Sequence, residues 1–199
     1  MVNSVSRLVI GITGASGAIY GVRLLEVLAQ MHIETHLVVS KAGVLALEQE
    51  LGLSLDQLRA KAAVFYQPGD VGARIASGSF RTDGMIIAPC TVRTMSEIAH
   101  GTTDTLMARA ADVVLKERRR LVLMVRETPL HLGHLRTMTQ LAEMGAILMP
   151  PVPAFYTHPQ TISHLVDHSV ARALDLFGID ADLAPRWDGL QTSGRSHRS

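Results

Sequence analysis

Two rhythms of apolar residues alternate along this chain. Short unbroken apolar runs begin at Leu8 and recur in Leu37-Val38-Val39, Met85-Ile86-Ile87, Leu121 to Val125 and Ile147-Leu148-Met149. Between them, apolar positions return every three or four residues, as in Val22, Leu24, Leu25, Val27 and Leu28. Runs without polar alternation read as strands buried on both faces, and the wider spacing reads as amphipathic helices. The pattern predicts strands from Leu8 and over 34–41, 84–90, 121–125 and 146–149, with a weaker one around 64–65. It predicts helices after Gly17 and over 41–50, 91–99, 104–117, 132–144 and 160–177. Short helices are expected from Ser54, as an N-cap with Gln57 three residues on, and just before Ser77. Gly52 breaks the second helix, Pro89 stops the strand over 84–90, and the prolines of 150–156 hold that segment extended.

Strands separated by helices make right-handed βαβ units. The fold class is therefore α/β: a three-layer, Rossmann-like (flavodoxin-like) arrangement with a parallel sheet flanked by helices. One domain is expected over 1–190, and the polar tail 191–199 is expected to be disordered.

In such a sheet, ligands sit beyond the carboxyl ends of the strands. The first strand runs into Gly11-Ile12-Thr13-Gly14-Ala15-Ser16-Gly17, a tight turn feeding a helix. Free amides and the positive end of the helix dipole meet there and suit an anion, usually a phosphate. The spacing GxxGxxG matches neither the dinucleotide fingerprint nor the GxxxxGK[ST] loop. The next strand ends in Ser40 where a nicotinamide enzyme would carry an acid, which favours a mononucleotide phosphate over NAD. A turn of this kind also serves close helix–strand packing, and by itself the motif does not separate the two.

The other predicted strand ends carry Thr91-Val92-Arg93-Thr94, the pair Arg126-Glu127, and the turn bearing Tyr156. Thr91 and Thr94 open a second helix start fit for an anion. Arg126-Glu127 ends the strongest apolar strand, and Pro129 fixes the loop presenting both charges. Lys116 and Arg172, taken singly, read as solvated helix charges.

Composition narrows the chemistry. The chain has 199 residues, 47% of them hydrophobic, enough for a sizeable core. A net charge of +1 gives no basic surface for nucleic acid, and 4% aromatics leave little for base stacking. The single cysteine, Cys90, fits a reducing cytoplasm and reads as a small buried thiol. No signal peptide or membrane span is expected. His131 and His134, and His164 and His168, have helical spacings that zinc uses, but no third ligand adjoins either pair. Mean hydropathy is +0.22, apolar enough to suggest burial between subunits.

Five ordered motifs carry a resemblance: Gly-Ile-Thr-Gly-Ala-Ser-Gly-Ala-Ile-Tyr-Gly, Ala-Pro-Cys-Thr-Val-Arg-Thr, Ala-Ala-Asp-Val-Val-Leu-Lys-Glu, Arg-Glu-Thr-Pro-Leu and Pro-Pro-Val-Pro-Ala-Phe-Tyr. Together they resemble the UbiX family of flavin prenyltransferases, from about Arg7 to Trp187. The resemblance implies transfer of the dimethylallyl group of dimethylallyl monophosphate to N5 and C6 of reduced FMN, without a metal. The product, prenylated FMN, would serve UbiD-type decarboxylases of ubiquinone biosynthesis or aromatic acid decarboxylation. By resemblance, Gly14, Ala15, Ser16, Ser40, Thr91, Val92, Arg93, Thr94 and Arg126 hold FMN. Lys116, Arg126, Tyr156 and Arg172 would surround the prenyl phosphate, and Trp187 would close over the site. Ser16 would lie near flavin N5, Glu127 would give the leaving phosphate a proton, and Glu50 is a second acid–base candidate. Thr91-Val92-Arg93-Thr94 stands where members often show Ser-x-Lys-Thr, which exchanges an ammonium for a broader guanidinium fork. A homododecamer with sites at subunit junctions is also implied. The alternatives are an FMN-dependent cysteine decarboxylase-like enzyme and a non-catalytic FMN carrier or decarboxylase accessory subunit.

Overall fold

The computed structural model describes residues 5–189, and the expected tail 191–199 lies outside them. Six strands form one parallel sheet: β1 (Arg7–Ile12), β2 (Glu34–Val39), β3 (Val64–Tyr66), β4 (Gly84–Cys90), β5 (Arg120–Val125) and β6 (Ile147–Leu148). Their spatial order is β3-β2-β1-β4-β5-β6. The winding reverses between β1 and β4, and a crevice opens at such a reversal beyond the strand ends.

Side-chain alternation along β1 divides the core. Leu8, Ile10 and Ile12 point to one face, and Val9 to the other. The first face is covered by α1 (Ala18–Gln30), α2 (Lys41–Leu51), the short α3 (Leu55–Arg59) and α7 (Ile162–Asp175). The second face is covered by α4 (Val92–Ala99), α5 (Leu106–Lys116) and α6 (Leu132–Glu143). This is the expected three-layer architecture.

Local signals set most boundaries. Ser54 and Gln57 form a reciprocal capping box at the start of α3. Gly52 ends α2 with φ 62°. Two expectations change. Strand β4 passes through Pro89 to Cys90, because the β4–β5 register shifts between Ile87 and Cys90 and so needs no amide from Pro89. The segment after β6 is not extended throughout, since Phe155–Thr157 form a 3-10 turn that brings Tyr156 against α7. His36, wholly buried on β2, bonds the Tyr66 hydroxyl at 2.9 Å and Glu34 at 2.8 Å. These bonds tie β3 to the sheet, and β3 leads to Pro68 and Gly69 at the crevice.

Candidate active site

Five strand ends, those of β1 to β5, build one cavity of about 690 Å³. Gly14, Ala15 and Ser16 follow β1, Ser40 follows β2, residues 91–94 follow β4, and Arg126 and Glu127 follow β5; all line it. Backbone bonds cross-link these ends. The Ser40 amide donates to Ile12 at 2.9 Å and the Arg126 amide to Cys90 at 3.0 Å. Thr13 is buried between β1 and β4; its hydroxyl donates to the Pro89 carbonyl at 2.7 Å and accepts the Thr91 amide at 2.9 Å. Such groups, satisfied by one another, hold the rim without help from a ligand.

Four helices start here, α5 among them with its N-cap Thr105 on the lining. Ser40 caps α2 by accepting the Gly43 amide at 3.0 Å, and Thr91 caps α4 by accepting the Thr94 amide at 3.2 Å. Among the described residues, none accepts the amides of Lys41, Ala42, Val92 or Arg93, so both starts keep donors for an anion. The start of α1 differs from expectation. Its anion belongs to the chain: Glu50 accepts the Gly17 amide at 2.9 Å and the Ala18 amide at 3.0 Å. Burial opposes ionisation of Glu50, but the Gly17 amide, the Ser16 hydroxyl, the Ala18 amide and the Arg126 charge prevail and hold its carboxyl below the ordinary range.

Glycine has a steric role at two positions of the turn. A Cβ on Gly14 would collide with Ala42 at the start of α2, so only glycine lets that helix begin against the β1 turn. Gly17 caps α1 with φ 108°, where a side chain is strained.

Glu127 turns back on its own loop, accepting the Thr128 amide at 2.9 Å. Arg93 points outward and pairs with Glu97 at 2.8 Å. Cys90 is wholly buried, and burial pushes its thiol up to about 12, the inert thiol the sequence suggested. Strand-end reasoning missed Lys41, Pro68, Gly69, Asp104 and Thr105, which also line the cavity. The rule that found Ser40 would have reached Pro68 and Gly69 had the short β3 been followed to its end.

The remaining candidates do not join this cavity within one chain. Tyr156, Arg172 and Trp187 line a second cavity of about 420 Å³ between α7 and the segment after it. Arg172 pairs with Asp175 at 2.6 Å, and Arg186 binds the same carboxylate at 2.8 and 3.2 Å. Arg186 also meets Asp180 at 2.9 Å, which ties the segment carrying Trp187 to α7. His168, Asp182 and Arg186 line this cavity and were not singled out as its residues. Lys116 lies apart from both. It pairs with Glu117 at the C-terminal end of α5, whereas the N-cap Thr105 is the end that lines the first cavity. The expected single cluster around the prenyl phosphate is thus three separate places in one chain, because α5 runs away from the crevice and α7 packs on the opposite face.

Comparison with known proteins follows the same lines. The Flavoprotein family model matches residues 2–174. Flavin prenyltransferase UbiX of Escherichia coli K12 is 58% identical over 186 residues, covering 92% of this chain and 98% of the relative. Its counterpart in Neisseria meningitidis is 55% identical, covering 94% and 98%. Among solved structures, AnUbiX in complex with FMN and dimethylallyl pyrophosphate superposes with TM-score 0.92 at 45% identity, covering 94% of this chain and 99% of that one. A dodecameric FMN-dependent UbiX-like decarboxylase from Escherichia coli O157:H7 gives TM-score 0.90 at 49% identity, covering 92% and 100%. The FMN-dependent cysteine decarboxylase TvaF, at 15% identity and TM-score 0.60, shares the fold alone.

Proposed function

The chain belongs to the Flavoprotein family and, within it, to the UbiX flavin prenyltransferases, and from that premise we propose how its residues divide the work. It is an enzyme that joins the dimethylallyl group of dimethylallyl monophosphate to N5 and C6 of reduced FMN and releases phosphate. Prenylated FMN then passes to a UbiD-type decarboxylase. The observation that carries the assignment of residues is the convergence of Gly14, Ala15, Ser16, Ser40, residues 91–94, Arg126 and Glu127 on one cavity.

FMN fits this cavity by the chemistry of its donors. Its phosphate goes to the amides and hydroxyls at the starts of α2 and α4, since Glu50 already holds the start of α1. Reduced flavin, when bound, supplies the nucleophilic N5 and C6. Gly14 and Ala15 would let the ring approach the backbone, and Ser16, beside the Glu50 carboxylate, would face the ring. Glu50, held ionised, is the base that receives a proton through Ser16. Arg126 offsets the charge of the departing phosphate, and Glu127 gives that phosphate its proton. These groups replace the metal that pyrophosphate chemistry uses.

Tyr156, Arg172 and Trp187 form the leaving-group end, and Lys116 reaches it from another subunit. The related Escherichia coli protein is a dodecamer, and such an assembly gives residues from separate regions of the chain a junction at which to meet. We read the enzyme as cytoplasmic; no helix among the described residues is long and apolar enough to cross a membrane. The cysteine decarboxylase-like and carrier readings find no observation that favours them.

The test is anaerobic incubation of the purified protein with reduced FMN and dimethylallyl monophosphate, followed by mass spectrometry of the flavin. A flavin heavier by one C5 unit is expected, and unchanged flavin leaves only a carrier. Size measurement should give a dodecamer, and an active monomer would refute the shared site.

A further inference from the structure

The second cavity holds a histidine that the division of labour above does not use. His168 lies on α7 one turn before Arg172, half-buried, with its Nε2 3.0 Å from the Tyr156 hydroxyl. The two rings meet edge to face at 5.8 Å and 85°. Trp187 abuts the same Tyr156 ring at 5.4 Å and 87°. Tyr156 is thus held from two sides, although it is 46% exposed.

A phenol has one proton and two lone pairs. If Nε2 accepts, the phenol spends its proton on the imidazole and can turn only lone pairs toward an anion. If Nε2–H donates, the phenol proton is free for a phosphate oxygen. Among the described residues none bonds the Nδ1 of His168, so no protein group fixes the tautomer from the far side of the ring. Burial lowers the affinity of this imidazole for a second proton, and the Arg172 charge adds to that effect against Asp175. Burial and Arg172 thus favour the neutral ring, and with its far nitrogen unheld both of its tautomers are available. Asp175 does not compete for the phenol, because its carboxylate is bound by Arg172 and Arg186.

We propose that His168 is a positioning residue for the prenyl phosphate: its Nε2–H donates to the Tyr156 oxygen and turns the Tyr156 O–H toward the phosphate held by Arg172. The anion selects the tautomer, and the two bonds strengthen each other as a chain of donors ending on a charge. This rests on the prenyl-transfer reading, with Tyr156 and Arg172 at the leaving-group end.

The experiment measures steady-state prenylation of reduced FMN against varied dimethylallyl monophosphate. It compares the wild type with His168→Leu, His168→Gln, Tyr156→Phe and the double variant His168→Leu/Tyr156→Phe. FMN affinity is followed separately by flavin fluorescence as a control for folding. A hydrogen bond to a charged group predicts a rise of about tenfold in KM for the prenyl phosphate in His168→Leu, with kcat and FMN affinity nearly kept. His168→Gln, whose amide still donates, should recover most of that loss. The double variant should be no worse than Tyr156→Phe. An unchanged KM in His168→Leu overturns the proposal, as does a glutamine no better than leucine, or a double variant in which the two losses multiply. A wild type that makes no prenylated flavin would overturn the underlying reading instead.

Discussion

The crevice at the strand ends and the cavity on α7 are held together by different means. In the crevice, backbone amides and short hydroxyls fix the geometry: Thr13 bridges β1 and β4, while Ser40 and Thr91 cap the helices that frame the opening. In the α7 cavity, long side chains hold one another through Asp175, and Tyr156 and Trp187 are 46% and 59% exposed. A rigid rim suits a planar flavin that must be aligned with its reaction partner. Long exposed arms suit a leaving group. The first region gathers its residues within one chain; the second shares no cavity with Lys116, which the proposed mechanism brings from another subunit.

The largest effect should come from the acid at the crevice. Glu127→Gln keeps shape and bonding capacity but removes the proton, and should slow prenylation by about 10²- to 10⁴-fold. FMN binding should stay intact, because among the described residues the carboxylate bonds only its own loop at Thr128. Loss of FMN in flavin titrations would make Glu127 a structural part of the rim. Next, Lys116→Ala should abolish most activity in a pure oligomer while leaving FMN bound. Mixed oligomers of Lys116→Ala and Glu127→Gln chains should regain activity, since some junctions combine both intact residues. Mixing that restores nothing would place Lys116 outside the site.

The crevice was readable in the sequence because its logic is local. A strand end, a small-residue turn and a capping hydroxyl occur consecutively, and the sheet rule brings consecutive units together at one edge. Hence Ser40, Thr91 and Arg126 fell where expected. The occupant of the α1 start was not readable: Glu50 is 33 residues from Gly17 in the chain, and only the packing of α2 beside α1 returns it. Tyr156 was placed by the strand-end rule after β6 but folds onto α7, while Arg172 and Lys116 lie on helices with no strand-end relation. Family resemblance grouped them, but α5 and α7 cover opposite faces of the sheet, so one chain separates them.

Gly14→Val tests whether the rim is as rigid as its bonds imply. The added side chain meets Ala42, so α2 must shift at a cost of about 1–3 kcal/mol. FMN affinity and thermal stability should both fall, while the α7 cavity keeps its ion pairs. Retained FMN affinity would mean that the rim yields. Arg172→Ala should act on the other side of the comparison: a rise of about tenfold in KM for the prenyl phosphate, from one lost charged contact, with no change in FMN affinity.

The smallest effect concerns stability rather than rate. Glu50 is held below the ordinary glutamate range in the folded chain, despite the opposing cost of burial, by the Gly17 amide, the Ser16 hydroxyl, the Ala18 amide and Arg126. A carboxyl more acidic folded than unfolded favours folding fully at pH values above its unfolded-state pKa. That contribution fades as the pH falls through the lower folded-state value. Denaturant unfolding of wild type and Glu50→Gln should therefore differ near neutrality and converge in acid, as the wild-type carboxylate takes up its proton. The difference will be modest, because Glu50, though partly desolvated, stays in contact with water that screens its bonds. A gap independent of pH would show that the side chain stabilises the α1 start through shape alone. The anion at that helix start would then contribute nothing, and a ligand phosphate could compete for it.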